Sequence, residues 1–297
     1  MNAAVQGTAL ITGASSGIGA TYAEKLSARG YDVILVARDE ARLRALADRI
    51  AAATGRSAET LRADLTDRAQ LAAIERRLAE DAAITLLVNN AGMALEGGLL
   101  ASQPGAIERL IALNVTAPTL LASAAGKAFV ARGRGGIINI ASVLALAPEA
   151  FDGVYSGSKA HLLNLSLSLA AQVEDKGVRV QAVLPGATRT EIWERAGKDV
   201  NSFPPEMVME VGDLVEASLV GFERGETVTI PPLADEAQWR AMNQARLAMG
   251  PGLSRREVAA RYLGPAQARA AGGRDQSVEV SRLRSARERP EFSRVRT

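Results

Sequence analysis

Tyr155 and Lys159 stand four residues apart, a spacing that puts both side chains on one face of a helix. An ammonium beside a phenol favours the phenolate and draws its pKa down from ~10, so the tyrosine becomes a usable acid near neutral pH. Alone, such a pair is as well read as a core tyrosine with a satisfied hydroxyl and a solvated lysine. A second constellation lies near the start, where Thr12-Gly13-Ala14-Ser15-Ser16-Gly17-Ile18-Gly19 follows an apolar run and precedes a helix-like stretch from Ala20 to Arg29. Backbone N–H groups and the positive end of a helix dipole converge at such a turn, and the missing Cβ atoms let a pyrophosphate approach. The same letters also satisfy G-x-S-x-G, the nucleophile elbow of a serine hydrolase around Ser15. Only twelve residues precede Gly13, and the single histidine, His161, lies two residues beyond Lys159 in a helix; position argues against a serine hydrolase, which is kept as a distant alternative.

These groups need a frame that brings strand ends and helix starts together. Apolar, β-branched runs recur at Thr8 to Thr12, Val33 to Ala37, Leu86 to Asn89, Gly136 to Ile140 and Val178 to Leu184, and Thr227 to Ile230 reads as a last strand stopped by Pro231-Pro232. The stretches between them have helical period. Strands apolar on both faces, alternating with helices, predict an α/β fold: a doubly wound, Rossmann-like parallel sheet of about seven strands with helices on both faces. The glycine turn then falls at the first strand–helix crossover, where dinucleotide folds hold phosphates. The second strand ends in Val36-Ala37-Arg38-Asp39. An acidic side chain there would bind a ribose 2′-hydroxyl and an arginine a 2′-phosphate, so Arg38 points to NADP, with NAD the alternative. Asp39 is expected to cap the helix from Glu40 to Ala52.

Together with the glycine turn, four further segments occur in a fixed order: Asn89-Asn90-Ala91-Gly92, Asn114 in Leu113-Asn114-Val115, Ser142 after Ile140-Ala141, and Tyr155 with Lys159. From about Gly7 to Thr190 the chain resembles the short-chain dehydrogenase/reductase family, single-domain branch. The resemblance implies that Tyr155 gives a proton to the substrate oxygen, Ser142 holds that oxygen, Lys159 also binds the nicotinamide ribose, and Asn114 supports a water-linked proton path. A growing negative charge on a carbonyl oxygen is what a phenol and a neighbouring hydroxyl stabilise. Cofactor contacts carry over to Gly13, Ser15, Ser16, Gly17, Ile18, Gly19, Arg38, Asp64, Leu65, Asn90, Ala91, Gly92, Tyr155, Lys159, Pro185, Gly186, Thr188 and Thr190. Asp64 has a second reading as the cap of the helix containing Ala69 to Leu78. NADP users of the family often carry a basic residue where Ser16 stands, which leaves Arg38 most of the 2′-phosphate recognition. The variable lid falls at about 187–212, with Trp193, Phe203, Pro204-Pro205, Met207 and Met209, and Val143 to Leu146 near Ser142 are apolar too. A neutral hydrophobic ketone, aldehyde or secondary alcohol is therefore the expected substrate. A non-catalytic NADP-sensing regulator is the alternative of another class.

Composition closes other routes. The 297 residues include no Cys and one His, which excludes disulfide scaffolds, thiolate zinc sites, Fe–S clusters and multi-histidine metal sites, so no metal is expected. No apolar run reaches the ~18 residues of a membrane span, and the first basic residue is Lys25; a cytoplasmic protein is expected, with no membrane partner. The formal charge of +2 is uneven, because eight Arg against Asp275, Glu279, Glu288 and Glu291 lie in 265–297. The body offers no basic surface for nucleic acid. Residues 1–264 read as one catalytic domain and 265–297 as a basic, poorly ordered extension. Helices around Ala106 to Ala131 and Val154 to Val173 are more apolar than one sheet face needs, and family members commonly pair such helices, so a homodimer or homotetramer is expected. His161 is read as a packing or interface residue.

Overall fold

The computed structural model describes residues 6–197 and 199–263. They belong to two compact units, Met1–Ala234 and Asp235–Thr297, a division that falls before the boundary at 264 expected from composition.

The first unit follows in chain order as β1 (Thr8–Thr12), α1 (Gly17–Ala28), β2 (Asp32–Ala37), α2 (Glu40–Thr54), β3 (Ala58–Arg62), α3 (Arg68–Glu80), β4 (Ile84–Asn89), α4 (Pro104–Ile111), α5 (Ala117–Arg132), β5 (Gly135–Ile140), α6 (Gly153–Val173), β6 (Val178–Val183), α7 (Ile192–Arg195), α8 (Val211–Glu223) and β7 (Val228–Thr229). The strands form one seven-stranded sheet in the order β3-β2-β1-β4-β5-β6-β7, and every neighbouring pair is parallel. Alternation along each strand divides the apolar residues between the two faces. Ala9, Ile11, Val33, Leu35 and Val88 enter a core with Tyr22 and Leu26 of α1 and Leu219 of α8. Leu10, Ile34, Val36 and Leu87 enter another with Leu71 and Leu78 of α3 and Leu121 and Phe129 of α5. Each buried Val, Leu, Ile or Phe among them stabilises the fold by ~1.5 to 3 kcal/mol relative to exposure; a polar residue on either face would lose that. The doubly wound arrangement expected from the strand pattern is present.

Strand order reverses between β1 and β4. The loops leaving their carboxyl ends must diverge to opposite sides, which opens a crevice at that edge. Two departures from the expected elements bear on the site. The helix read through Ala106 to Ala131 is divided by a π-turn at Ala112–Thr116, a widening that local sequence does not announce. The seventh strand of the expected sheet, which the apolar runs do not locate, is β3, Ala-Glu-Thr-Leu-Arg, an edge strand with only half-buried apolar positions.

The second unit contains α9 (Glu236–Ala248), whose cap Asp235 accepts a hydrogen bond from the Ala237 N–H at 2.9 Å. No residue of α9 is buried. The extension expected at 265–297 lies outside the described residues.

Candidate active site at the carboxyl edge of the sheet

The end of β1 is fastened to the end of β4 by one hydroxyl. Thr12 Oγ1 accepts hydrogen bonds from the N–H groups of Asn90 (3.0 Å) and Ala91 (3.1 Å) and donates to the Val88 carbonyl at 3.3 Å. The Asn90 amide returns the link by donating to the carbonyls of Thr12 (2.9 Å) and Gly13 (3.2 Å). Gly13 has φ +66°, and a Cβ there would stand 2.8 Å from Asn90 Nδ2; neither the conformation nor the space admits a side chain. Gly19 packs its Cα side against the Gly13 carbonyl.

Ser16 caps α1 in extended conformation without a side-chain capping bond, and the first turn has no acidic residue. The half-buried helix start thus keeps its positive end without a carboxylate from its own first turn. Gly17, at φ +54°, opens the helix, and a Cβ on it would approach Thr190 Cγ2 to 3.3 Å. Ser15 and Ile18 are half-buried beside it. A cradle of this kind, which a Cβ would fill, fits a pyrophosphate.

At the other end of the crevice Arg38 is exposed just beyond β2. Asp39 turns away to cap α2, accepting from the Arg42 N–H at 3.0 Å as expected. The register pairs Ala37 with Arg62, and Arg62 Nε donates to the Arg38 carbonyl at 3.3 Å, so two guanidinium-bearing residues leave adjacent strand ends. Asp64 does not cap α3; Asp67 does, accepting from the Gln70 N–H at 2.9 Å. The cap must stand directly before the helix, and Asp64 instead accepts from the N–H (3.0 Å) and hydroxyl (2.7 Å) of Thr66 and pairs with Arg109 at 3.2 Å. Burial opposes its ionisation, but the Thr66 bonds and the charges of Arg38 and Arg109 hold its carboxyl below the usual range. Leu65 is buried beside it.

The helix α6 carries the tyrosine and lysine. Its cap, Asp152, accepts from the N–H groups of Val154 (3.2 Å) and Tyr155 (3.0 Å), which fixes the first turn where Tyr155 sits. Ser142, just beyond β5, accepts from the Leu144 N–H at 3.1 Å and donates to the Pro185 carbonyl at 3.5 Å, and its hydroxyl lies on the Tyr155 side, where it favours the phenolate. Lys159 is buried, with Nζ 5.6 Å from the Tyr155 ring centroid. Here the structure corrects the expected pKa. Burial pushes the Tyr155 phenol up to about 12 despite the lowering effect of the Ser142 hydroxyl, and burial draws the Lys159 ammonium down to about 8. The ammonium donates to the Ile140 carbonyl at 2.8 Å, and loss of solvent outweighs its attraction for a phenolate.

Asn114 lies in the π-turn and is buried. Its Oδ1 accepts from the Met93 N–H at 2.9 Å, and its Nδ2 donates to the Met93 carbonyl at 2.8 Å and to Ser158 Oγ at 3.1 Å. Ser158 in turn donates to the Tyr155 carbonyl at 2.7 Å. A Cβ on Gly92 would stand 3.4 Å from Asn114 Oδ1 and 3.5 Å from Lys159 Nζ. The structure therefore gathers Gly92, Asn114, Tyr155 and Lys159 at one place, next to the Thr12–Asn90–Ala91 knot.

After β6 the chain passes through Pro185 and Gly186. Thr188 donates to the Gly186 carbonyl at 3.0 Å and forms a bridge with Met209, while Thr190 donates to the Thr188 carbonyl at 3.4 Å. Leu95, Gly97 to Leu100 and Ala150 to Gly153 line a hollow of about 480 Å³ beside the start of α6. His161 shares a hydrogen bond of 2.8 Å with Thr119 of α5, and no hydrogen bond joins it to Ser15 among the described residues.

Three positioning residues escaped the sequence reading. Thr12 was visible as the first letter of the turn, but its role depends on the β1–β4 pairing. Arg62 depends likewise on register. Ser158, between Tyr155 and Lys159, could have been noticed from its place in the motif.

The comparisons agree with this geometry. Residues 7–201 match the family model for short chain dehydrogenases. Galactitol 2-dehydrogenase of Agrobacterium fabrum is 36% identical over 188 residues, 63% of this chain and 72% of that one. Human 17-beta-hydroxysteroid dehydrogenase type 3 is 36% identical over 194 residues, but the match spans only 62% of its length. Among solved structures, a short-chain dehydrogenase from Sphingobium yanoikuyae in complex with NADPH is 53% identical, with TM-score 0.84, covering 86% of this chain and 100% of that one. The bulky-bulky ketone specific alcohol dehydrogenase from Comamonas testosteroni is 44% identical, with TM-score 0.81, covering 89% and 100%. With its glycine turn, its Ser142, Tyr155 and Lys159 on a doubly wound sheet, and a family model matched over most of its length, the chain belongs to the short-chain dehydrogenase/reductase family and is an oxidoreductase.

Proposed function

We propose that the protein reduces a neutral hydrophobic ketone or aldehyde with NADPH, or oxidises the matching secondary alcohol. One observation carries this reading: Tyr155, with the buried Lys159 Nζ 5.6 Å from its ring centroid, and the buried Ser142 stand at the edge of the sheet that also holds a glycine turn with no acidic side chain in the helix start behind it. NADPH bound there would supply the hydride. Gly13, Ser15, Ser16, Gly17, Ile18 and Gly19 would hold its pyrophosphate, and Arg38, helped by Arg62, its 2′-phosphate. Asp64, Leu65, Asn90, Ala91 and Gly92 would flank the adenosine and ribose, and Pro185, Gly186, Thr188 and Thr190 the nicotinamide end. The bound NADPH of the Sphingobium yanoikuyae relative supports this choice.

Ser142 and Tyr155 would hold the carbonyl oxygen, and Tyr155 would release its proton as negative charge develops there. A phenol raised to about 12 stays protonated at neutral pH, so the residue rests in the form that donates. The Lys159 ammonium then stabilises the phenolate left behind, and Asn114, held to Met93 and Ser158, keeps the lysine pocket in shape. The ketone specificity of the Comamonas testosteroni relative supports the substrate class. Among the described residues no helix is long and apolar enough to cross a membrane; a cytoplasmic homodimer or homotetramer paired through α5 and α6 is part of the proposal. The test is a panel of ketones, aldehydes and secondary alcohols followed at the nicotinamide absorbance, with NADPH and NADH in parallel. Binding of NADPH without turnover of any carbonyl compound would favour a sensing role instead.

A further inference from the structure

The chain is poor in aromatic residues, with two Trp, four Tyr and five Phe among 297. Tyr22 and Phe129 are fully buried in the two cores. One Trp, one Tyr and two Phe instead stand in single file. Ring centroids lie 4.9 Å apart from Phe203 to Trp193, 6.4 Å from Trp193 to Phe151 and 5.6 Å from Phe151 to Tyr155. They come from separate parts of the chain, the lid and the start of α6, and as residues all four are half-buried, although the Tyr155 hydroxyl end is itself enclosed. A file built only to fill a core would be enclosed as Tyr22 and Phe129 are.

Its rings are set in place by the protein. Trp193 Nε1 donates to the Thr188 carbonyl at 2.8 Å, and Phe151 immediately precedes the capping Asp152. Successive contacts at interplanar angles of 69° and 89° join ring edge to ring face, the arrangement that the aromatic quadrupole favours. Phe151 also lines the hollow, with the aliphatic Leu95, Leu99 and Leu100 among its other walls. The hollow's one carboxylate, on Asp152, is engaged by two backbone N–H groups.

We infer that Phe151 and Trp193 form an aromatic subsite that receives a flat aryl substituent of the substrate, so that the protein distinguishes aryl carbonyl compounds from saturated ones of equal size. The inference rests on the reading that Tyr155 meets the reacting oxygen. A phenyl and a cyclohexyl group bury similar apolar area, so that contribution nearly cancels between them. The edge-to-face contact does not, and it corresponds to about a 2- to 13-fold preference.

The test is calorimetric titration of the full-length protein, saturated with NADPH, with 1-phenylethanol and 1-cyclohexylethanol, which cannot react with the reduced cofactor. The phenyl alcohol should bind about 2- to 13-fold more tightly. Phe151→Leu and Trp193→Leu should bring the ratio of dissociation constants towards one, and Trp193→Phe should retain it. Equal dissociation constants in the unaltered protein, or a ratio that survives both leucine variants, would overturn the subsite. If one leucine variant fails to fold, the other and Trp193→Phe decide. Reduction of acetophenone and cyclohexyl methyl ketone then separates the two readings. Selective binding without reduction of either ketone leaves the subsite standing and refutes the reductase; reduction of both, in a ratio unchanged by the leucine variants, does the reverse.

Discussion

Lys159 is buried, its amine donates to the neutral Ile140 carbonyl, and burial draws its pKa from 10.5 to about 8. A folded-state pKa below the unfolded one means that the unfolded chain binds a proton more readily. Above about pH 10.5 the amine is neutral in both states and costs nothing. As pH falls towards 8 the unfolded chain takes up its proton first, stability declines, and below 8 the penalty is complete. Linkage between those pKa values gives a penalty of roughly 3 kcal/mol at pH 7 and roughly 1 kcal/mol at pH 10. The perturbation is Lys159→Met, which keeps the length of the side chain and removes the charge. Part of its effect is independent of pH, because the Ile140 carbonyl loses a donor, worth ~1 kcal/mol. The assay is urea unfolding of both proteins, without cofactor, at pH 7 and pH 10, read as the difference between them so that other titrating groups cancel. The variant's stability relative to the parent should fall by on the order of 2 kcal/mol from pH 7 to pH 10. A difference independent of pH would refute the reasoning, because the ammonium would then be as well solvated in the folded protein as in the unfolded one.

Tyr155→Phe should abolish carbonyl reduction, with kcat down by at least ~100-fold, while the NADPH dissociation constant measured by fluorescence stays within a few-fold. Changing Ala37→Asp together with Arg38→Leu should move the ratio of kcat/KM from NADPH towards NADH by about 10- to 150-fold, the worth of a charge-assisted bond; a parent protein that already prefers NADH would show Arg38 to be an ordinary surface residue. Thr12→Val should lower the unfolding midpoint and weaken NADPH binding together, since Thr12 Oγ1 serves two N–H groups whose loss costs ~1 to 3 kcal/mol. Truncation after Leu263 should leave kcat and KM unchanged in steady-state assays, because every residue assigned a role precedes Phe203.

The frame was legible because its signal is local and redundant. Strands such as Leu10-Ile11 and Ile34-Leu35 are apolar on both faces, and that alone demands helices on each side. Tyr155 and Lys159 were legible because helical spacing decides which side chains share a face. The phenol's ionisation was not, since it turns on where the ammonium points. Sequence spacing places Lys159 near Tyr155, but only the packed structure directs Nζ to the Ile140 carbonyl. The cap of α3, which one reading of the sequence puts at Asp64, lies at Asp67 for a similar reason, because the helix start decides which acidic residue stands directly before it. Asn114 in the π-turn is held by tertiary bonds to Met93 and Ser158, which no window of sequence contains.

Those same bonds explain how two distant ends of the site keep their relative position. From the glycine turn, Thr12 Oγ1 grips the N–H groups of Asn90 and Ala91. Three residues after Asn90, Met93 is held at both its N–H and its carbonyl by the Asn114 amide. Asn114 donates to Ser158, and Ser158 to the carbonyl of Tyr155. Each link from β1 to the tyrosine is thus a short hydrogen bond or a few residues of backbone, and the Asn114 and Ser158 nodes are buried. Side chains locked by such supporting bonds hold reacting groups more closely than the sheet alone could. The crevice between β1 and β4 opens because their loops diverge, and this chain of bonds ties the diverging ends back together, so that a group held at the glycine turn and an oxygen held at Tyr155 stand in a fixed relation.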